Sequence, residues 1–251
     1  MKNNVLRLTC CLLSAFALIF LSCCEGEAPV FHSLYTIESI SKLKATGEAR
    51  IGENTDESVY VFLFDQDKIG ISQTPPKREM VLPTTEYYFV GLNLGEFDGW
   101  VARAKYELYL TDTDPEVILR ETCLGVVSSR DTADRYLVTG NPFDWAEYGK
   151  IYHRETKNGV PELVMLYEMD VCPDGFAVGE KGVLYLVAED RILSVNPDGE
   201  VTVLHTSAWL GEQCPNSLCV LDGTVYIGIN GGVAVYDIVQ DSLMWYEIAL
   251  S

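Results

Sequence analysis

The sequence is poor in basic residues. Its 251 residues include 18 Lys and Arg against 37 Asp and Glu, and the formal net charge is −19. So strong an acidic excess repels phosphate groups, which excludes nucleic acid as an expected partner, and it also disfavours a bare anionic membrane surface. The charge indicates instead a surface that keeps the protein in solution.

Histidine is also scarce, with only His32, His153 and His205 in the chain. No Cys or Ser stands at a familiar spacing from any of them, so the sequence indicates no nucleophile with a neighbouring base. We expect His153 and His205 to be partly exposed strand residues.

Two stretches of the sequence resemble common ligand-binding loops, but each lacks residues that such a loop requires. Gly228–Gly232 lacks the Gly-Lys-Ser/Thr ending of a phosphate loop and leads into a strand, which favours a hairpin turn. The acidic segments at 65–67 and 111–114 lack the Gly and the distal Glu of a calcium-binding EF-hand. Solvated turns are the expectation there, with a weak calcium site as the alternative.

Long helical runs are rare, whereas apolar and β-forming residues are plentiful. The hydrophobic content is 48%, and 14 residues are Tyr. This composition argues against disorder and favours β structure, in a chain long enough to bury a core.

The amino terminus has the three parts of a secretory signal peptide. Lys2 and Arg7 are basic, Leu12–Leu21 is apolar, and an acidic, Pro-containing stretch follows Cys23 and Cys24. The apolar part is short for a permanent membrane span. The stretch resembles bacterial lipoprotein signals, in which a small residue precedes an acylated Cys; Ser22 before Cys23 fits best, and Cys24 remains open.

That resemblance implies a three-part chain. Residues 1–23 form the signal peptide, 24–41 a tether and 42–251 the folded domain. The protein is then expected to be exported to the cell envelope and anchored to a membrane through lipid. An ordinary cleaved signal and an uncleaved anchor are the alternatives.

A pattern of strand, turn and strand recurs along the chain. It is clearest in Gly182–His205, where three short apolar strands are joined by Glu189-Asp190 and by Asn196–Gly199. The hairpins of five copies start 38 to 44 residues apart, at 68, 106, 150, 191 and 232. A near-constant period of about forty residues is typical of a repeat array or propeller.

Each hairpin is preceded by two further candidate strands, so a repeat has four. The second strands are predicted at Val59–Phe64, Trp100–Ala104, Arg135–Thr139, Val183–Val187 and Thr224–Ile229. The innermost strands are predicted at Ala49–Gly52, Tyr87–Leu92, Leu124–Ser128, Phe176–Gly179 and Leu218–Leu221.

The repeat predicts an all-β protein, a β-propeller of five four-stranded blades. It resembles the blades of the NHL, gluconolactonase-like and YWTD families, most strongly in Asp174–His205 and Asn216–Ile248. No enzymatic signature of those families carries over residue by residue. The alternative fold is two propeller-like blades packed on an unrelated amino-terminal β domain.

Four cysteines belong to the predicted folded domain: Cys123, Cys172, Cys214 and Cys219. In an exported protein they are disulfide candidates, with Cys214–Cys219 and Cys172–Cys214 both plausible. Three of them precede innermost strands and are expected near one mouth of the channel. A structural zinc site is the alternative, although no Cys-x2-Cys pair is present.

Asp174 and Asn216 occupy matching positions before the innermost strands of the last two repeats. They are candidates for the channel mouth, where the resemblance to gluconolactonase-like enzymes implies that carboxylates and amides hold a divalent cation. Turn formation explains Pro-Asp-Gly and Pro-Asn-Ser equally well. No cofactor is expected, with calcium or zinc as the alternative.

Two functions follow from these expectations. The first is a non-catalytic, lipid-anchored propeller that binds a protein or glycan, and the second is a metal-dependent hydrolase or lactonase. The first is favoured because no catalytic constellation is evident. The candidate surface aromatics for binding are Tyr87, Tyr88, Trp100, Trp145 and Trp209.

Overall fold

The computed structural model describes residues 33–36, 58–64, 68–84, 87–93, 99–105, 116–141 and 148–247. All of them belong to Phe31–Ser251, the larger of the two compact units into which the chain divides. The predicted signal peptide, with Cys23 and Cys24, lies outside the described residues. The predicted tether is described only at 33–36.

Five antiparallel sheets account for nearly all of the described residues. Blade one contains β1 (Ser33–Thr36), β2 (Tyr60–Phe64) and β3 (Lys68–Ser72). Blade two contains β4 (Val81–Pro83), β5 (Tyr87–Asn93), β6 (Gly99–Lys105) and β7 (Glu116–Leu119). Blade three contains β8 (Cys123–Ser128), β9 (Arg135–Asn141), β10 (Tyr148–Lys157) and β11 (Val160–Met169). Blade four contains β12 (Gly175–Val178), β13 (Leu184–Ala188), β14 (Arg191–Val195) and β15 (Val201–Thr206), and blade five contains β16 (Ser217–Leu221), β17 (Thr224–Ile229), β18 (Gly232–Asp237) and β19 (Ser242–Glu247).

The sheets surround a common centre. In blades two to five the strands follow one another in space as they do along the chain. The innermost strands adjoin one another around this centre, since β2 lies against β16, β16 against β12, and β12 against β8. This is a β-propeller, and the prediction of an all-β, five-bladed propeller is confirmed. Four blades have four strands, and three strands of blade one lie in the described residues.

The core lies between neighbouring blades. Because side chains alternate across a strand, Leu137 of β9 faces blade two, whereas Tyr136 and Val138 face blade four. The other interfaces are built in the same way, one between blades four and five and one between blades five and one. Burial on both faces explains why the strands are almost continuously apolar.

Backbone and side-chain hydrogen bonds close the ring between the first and last blades. The N–H of Val59 donates to the carbonyl of Ile229 over 3.1 Å. The buried N–H of Val61 donates to the hydroxyl of Ser217 over 2.8 Å. Strands far apart in the sequence are therefore joined side by side.

The strand numbering predicted for the first two blades is wrong by one position. Val59–Phe64 is not a second strand, because β2 lies against β16 and lines the centre. Likewise Lys68–Leu82 is not a hairpin, because β3 pairs with β2 whereas β4 pairs with β5. The intervening segment, with its prolines, passes from one blade to the next instead of reversing. The predicted strand Ala49–Gly52 lies outside the described residues.

A short helix, α1 (Ala208–Glu212), joins blades four and five. Among the residues described, no helix has the length and apolar character needed to cross a membrane.

Candidate functional site

A cavity of about 750 Å³ occupies the centre of the propeller. The innermost strands of blades one, three, four and five line it, together with Pro75–Glu79 from the segment between blades one and two. Its volume falls in the range of small-molecule sites. We call this cavity the channel.

Arg78 is the most constrained charged residue of the channel. Its Nη1 donates to the carbonyl of Leu124 over 3.3 Å, and its Nη2 donates to the carbonyl of Asp174 over 3.0 Å. Its guanidinium carbon lies 4.9 Å from the centre of the Phe176 ring, within cation–π distance. Three contacts therefore hold the guanidinium where β8 and β12 begin.

Gly125 on β8 makes room for this arrangement. A Cβ there would lie 3.1 Å from the Phe176 ring and 3.6 Å from the Cβ of Arg78. The first distance is tighter than almost all real contacts, so a larger residue would displace the ring on which Arg78 rests.

The position of Arg78 against the channel wall affects its pKa. The side chain is open to the channel, but the channel walls remove part of its bulk hydration. This desolvation lowers the pKa of Arg78 from its ordinary value, against the opposing influence of Cys172, Asp174 and Tyr60. An arginine remains protonated through such a shift, so the channel contains a permanent positive charge.

Asp174 and Asn216, the candidates for the channel mouth, are both among the residues that line the channel. The Oδ2 of Asp174 accepts the N–H of Glu189 over 3.0 Å. The Oδ1 of Asn216 accepts the Ser217 hydroxyl over 2.9 Å, and its Nδ2 is buried without a hydrogen-bond partner. Asn216 is therefore anchored through its amide oxygen, and its amide nitrogen is buried.

That geometry does not fit the divalent cation implied by the resemblance to gluconolactonase-like enzymes. A hard cation requires several converging oxygen ligands, whereas one oxygen of Asp174 is bonded to the N–H of Glu189 and the amide oxygen of Asn216 is bonded to Ser217. Within the described ranges, no three His, Cys, Asp or Glu side chains are placed to hold a metal ion together.

A second cavity, of about 600 Å³, adjoins the mouth of the channel. Asp174 lines both cavities. The second is strongly acidic and also contains an exposed cysteine; its charged and thiol-bearing residues are Asp174, Glu189, Asp190, Glu212 and Cys214.

The disulfide prediction is not supported, since all four cysteines are free thiols in the structure. Cys219 packs between blades five and one, and Cys123 packs between blades two and three, where Gly91 leaves room for it. Cys172 is buried beside Gly140, and Cys214 is exposed before β16. The backbone thus directs these thiols into separate surroundings.

Two polar clusters between strands were not anticipated from the sequence. The carboxylate of Glu121 accepts hydrogen bonds from the Thr139 hydroxyl over 2.8 Å, the Tyr152 hydroxyl over 2.9 Å and the Lys150 ammonium over 2.7 Å. With three partners, this partly buried carboxylate satisfies most of its hydrogen-bonding capacity and joins the strands of blade three.

The second cluster centres on His153. Its Nε2 lies 3.0 Å from the Oδ1 of Asp134, whose Oδ2 accepts the Thr132 hydroxyl over 2.5 Å. His153 is only 9% exposed, so the expectation of partial exposure is wrong for it, although His205 is half-buried as expected. A third strand lies towards the outside of a blade, but the ring of Tyr136 and the carboxylate of Asp134 cover His153 there.

The candidate surface aromatics have different surroundings. Tyr88 and Trp100 are half-buried within blade two, and Trp209 is half-buried with its ring centre 6.2 Å from that of Trp245. Trp145 and the side chain of Tyr87 lie outside the described residues. The described members therefore contribute to packing and do not form an exposed patch.

Sequence comparisons identify no relative, since no protein-family model matches the chain and no match to a curated protein was found. Solved structures with a general likeness include a gluconolactonase from Xanthomonas campestris, with 11% identity and a TM-score of 0.39 over 67% of this chain and 56% of that one. The present chain thus spans little more than half of that gluconolactonase.

Two lyases show a similar likeness. The virginiamycin B lyase from Staphylococcus aureus has 11% identity and a TM-score of 0.36, over 79% of this chain and 87% of that one. A streptogramin B lyase has 10% identity and a TM-score of 0.35, over 90% of each chain. Scores this low transfer no residue's role to the present chain.

Proposed function

We propose that this protein is an exported, lipid-anchored propeller that binds a glycan through its central channel. The observation that carries the proposal is the channel itself, with about 750 Å³ of space and a mixed aromatic and polar lining. Tyr60 supplies a partly exposed ring surface, while Arg78 and Asp174 supply charged groups.

The size and lining favour a glycan over a folded protein. A folded partner presents a broad surface and cannot enter a space of this volume, whereas one end of a sugar chain can. A sugar offers C–H faces to aromatic rings and hydroxyl groups to charged and amide side chains. The alternative function as a metal-dependent hydrolase gains no support from the positions of Asp174 and Asn216.

A channel-filling substitution tests the binding proposal. Ser128 lies at the end of β8, is exposed and lines the channel, so Ser128→Trp places a large side chain within it. Glycan affinity, measured by calorimetry on the full-length chain against a glycan panel, is expected to fall by about tenfold or more. Thr202→Trp, at an exposed position of β15, is the matched control and should leave affinity unchanged.

Three outcomes would overturn the proposal. One is that no glycan binds, and another is that Ser128→Trp binds as tightly as the unaltered protein. The third is the capture of a protein partner whose binding Ser128→Trp does not affect. Stoichiometric metal in the purified protein, with hydrolysis of a lactone, would favour the hydrolase instead.

The lipid anchor is tested separately. The double variant Cys23→Ser, Cys24→Ser should lose both detergent partitioning and incorporation of labelled fatty acid, because two or three acyl chains on one Cys give stable anchoring. Each single variant then identifies the acylated residue, which we expect to be Cys23. Continued partitioning of the double variant would overturn the proposal.

A further inference from the structure

Arg78 has no carboxylate partner among the described residues. Its two hydrogen bonds go to main-chain carbonyls, as do those of Arg135 and Arg154. By contrast, Arg103 pairs with Glu116 and Arg191 pairs with Asp170. A carbonyl dipole orients a guanidinium but does not neutralise it. Among the described residues, no ion pair compensates the positive charge that Arg78 brings to the channel.

The guanidinium is also incompletely used as a donor. It has five N–H groups, of which the bonds to Leu124 and Asp174 use two. The carbonyls hold one side of the group, and the Phe176 ring supports its carbon. Because these contacts already fix the guanidinium, the side chain loses little conformational entropy when a ligand binds to it.

The local charge of the channel is opposite in sign to that of the whole chain. Three of the charged residues that line it are basic (Lys77, Arg78 and Arg130) and two are acidic (Glu79 and Asp174). The chain as a whole carries −19. Salt screens the distant charges over about 8–10 Å, so an anion inside the channel interacts mainly with these neighbours and, at the mouth, with the acidic residues of the second cavity.

We infer that the glycan bound by the channel carries an acidic group, a carboxylate or a sulfate ester, which pairs with the guanidinium of Arg78. Arginine is suited to this role because its fork of N–H groups matches the oxygens of such anions. The ring of Tyr60, close enough to Arg78 to influence its pKa, forms part of the same wall. This inference rests on the proposed glycan-binding function and specifies the class of glycan.

Matched acidic and neutral sugars test the inference. The probes are an oligogalacturonate, its methyl ester as the same chain without charge, and a sulfated galactose oligomer with its unsulfated counterpart. Affinity is measured by calorimetry with the full-length chain in detergent. We expect the acidic member of a pair to bind about tenfold to a hundredfold more tightly.

Substitutions of Arg78 assign the preference to this residue. Arg78→Met should reduce the acidic-to-neutral ratio to near one, and Arg78→Lys should retain part of it, because the charge remains but the fork is lost. Lys157→Met makes the same change in net charge at an exposed position of β10 and should leave the ratio unchanged. With the unaltered protein, added salt should weaken only the acidic sugar, which provides a test that needs no variant.

The outcomes separate the inference from the proposal on which it depends. If neutral and acidic members bind equally and Ser128→Trp weakens both, the channel binds glycans but the inference is wrong. If Arg78→Met folds and keeps the acidic preference, the inference is also wrong. If no sugar binds, the proposed function itself fails. A carboxylate preference distinguishes uronic acids from sulfated sugars as the source of the anion.

Discussion

The four cysteines of the described chain differ in their access to solvent. Cys214 is exposed, whereas Cys123, Cys172 and Cys219 are buried. Burial raises the pKa of the Cys123 thiol to about 11 and raises that of Cys219 further. Because the thiolate is the reactive form, burial and protonation both protect these two residues.

We therefore expect iodoacetamide at neutral pH to alkylate Cys214 in the folded protein and to reach the other three only after denaturation. Peptide mapping without reducing agent measures this directly. A peptide linking Cys214 to Cys219 would contradict the structure and restore the disulfide expected for an exported protein. Equal labelling rates at Cys214 and Cys123 would contradict the burial assigned to Cys123.

The ionisation of Tyr226 affects the stability of the fold at alkaline pH. It is 2% exposed, and burial, with a contribution from Cys219, raises its pKa from 10.0 to about 12. A raised pKa means that the folded state retains the phenol proton more strongly than the unfolded state does. The associated stability is complete below pH 10 and is lost as the pH rises towards 12.

Tyr226→Phe removes that titration while keeping the ring. Between pH 10 and 12 the unaltered protein should lose about 2 kcal/mol more stability than the variant, as measured by urea unfolding at a series of pH values. Near neutral pH the free energies of unfolding of the two proteins should differ only by the hydrogen bond between the Tyr226 phenol and the Thr224 side chain. Parallel pH curves throughout this range would contradict the assignment.

Individual site residues were predicted unevenly. Asp174 and Asn216 are candidates because of their position before repeating strands, and the structure places both in the lining of the channel. Arg78 was missed, because Pro75-Pro76 suggested a turn and turns usually face solvent. Its role depends on Phe176 and two carbonyls from other blades, which local sequence does not reveal.

Two-residue turns set the ends of several strands. Asn158 and Gly159 join β10 to β11, and Asp222 and Gly223 join β16 to β17, each with both residues at positive φ. This is the conformation that tight antiparallel hairpins favour. Nothing lies within 4 Å of a Cβ added at Gly159 or Gly223, so only the backbone restricts substitution there.

Alanine at these turns measures the conformational cost alone. Gly159→Ala and Gly223→Ala should each lower the free energy of unfolding by about 1–2 kcal/mol. Gly182→Ala should cost more, because its φ is 76° and its Cβ would also collide with the carboxylate of Asp134. Urea unfolding compares the three variants; a smaller loss at Gly182 than at Gly159 would contradict the packing around Asp134.

Strand order was predictable wherever turn chemistry and repeat agreed. In blades three to five the predicted strands correspond to β8–β19, because Asn-Gly, Asp-Gly and Pro-Asp-Gly sequences mark the reversals. In blades one and two such markers are weak, and a proline-rich passage between blades resembled a turn. An alternation of apolar and polar residues identifies a strand but does not show which strand pairs with it. The predicted positions of strands within blades one and two are therefore wrong by one strand.

At the scale of the molecule, stability depends on closing a ring whose contacts are mostly between consecutive blades. Blades two to five can pack as the chain proceeds, but the interface of blade five with blade one joins residues such as Val61 and Ser217 that are far apart in sequence. Loop-closure entropy opposes that last contact. The apolar packing and the hydrogen bonds at this closure therefore complete the wall of the channel.

Ser217→Ala tests this closure. It leaves the buried N–H of Val61 without its acceptor, at a cost of about 1–3 kcal/mol, and hydrogen exchange should accelerate in β2 and β16 together. Ser129→Ala is the matched control: Ser129 is 5% exposed against 6% for Ser217, but it accepts only from its neighbours Asp131 and Thr132. Its effect on exchange should stay within that loop. If β2 exchanges no faster in Ser217→Ala than in Ser129→Ala, the hydroxyl does not hold the ring closed. The packing of Val59, Val61 and Cys219, with the hydrogen bond from Val59 to Ile229, must then do so.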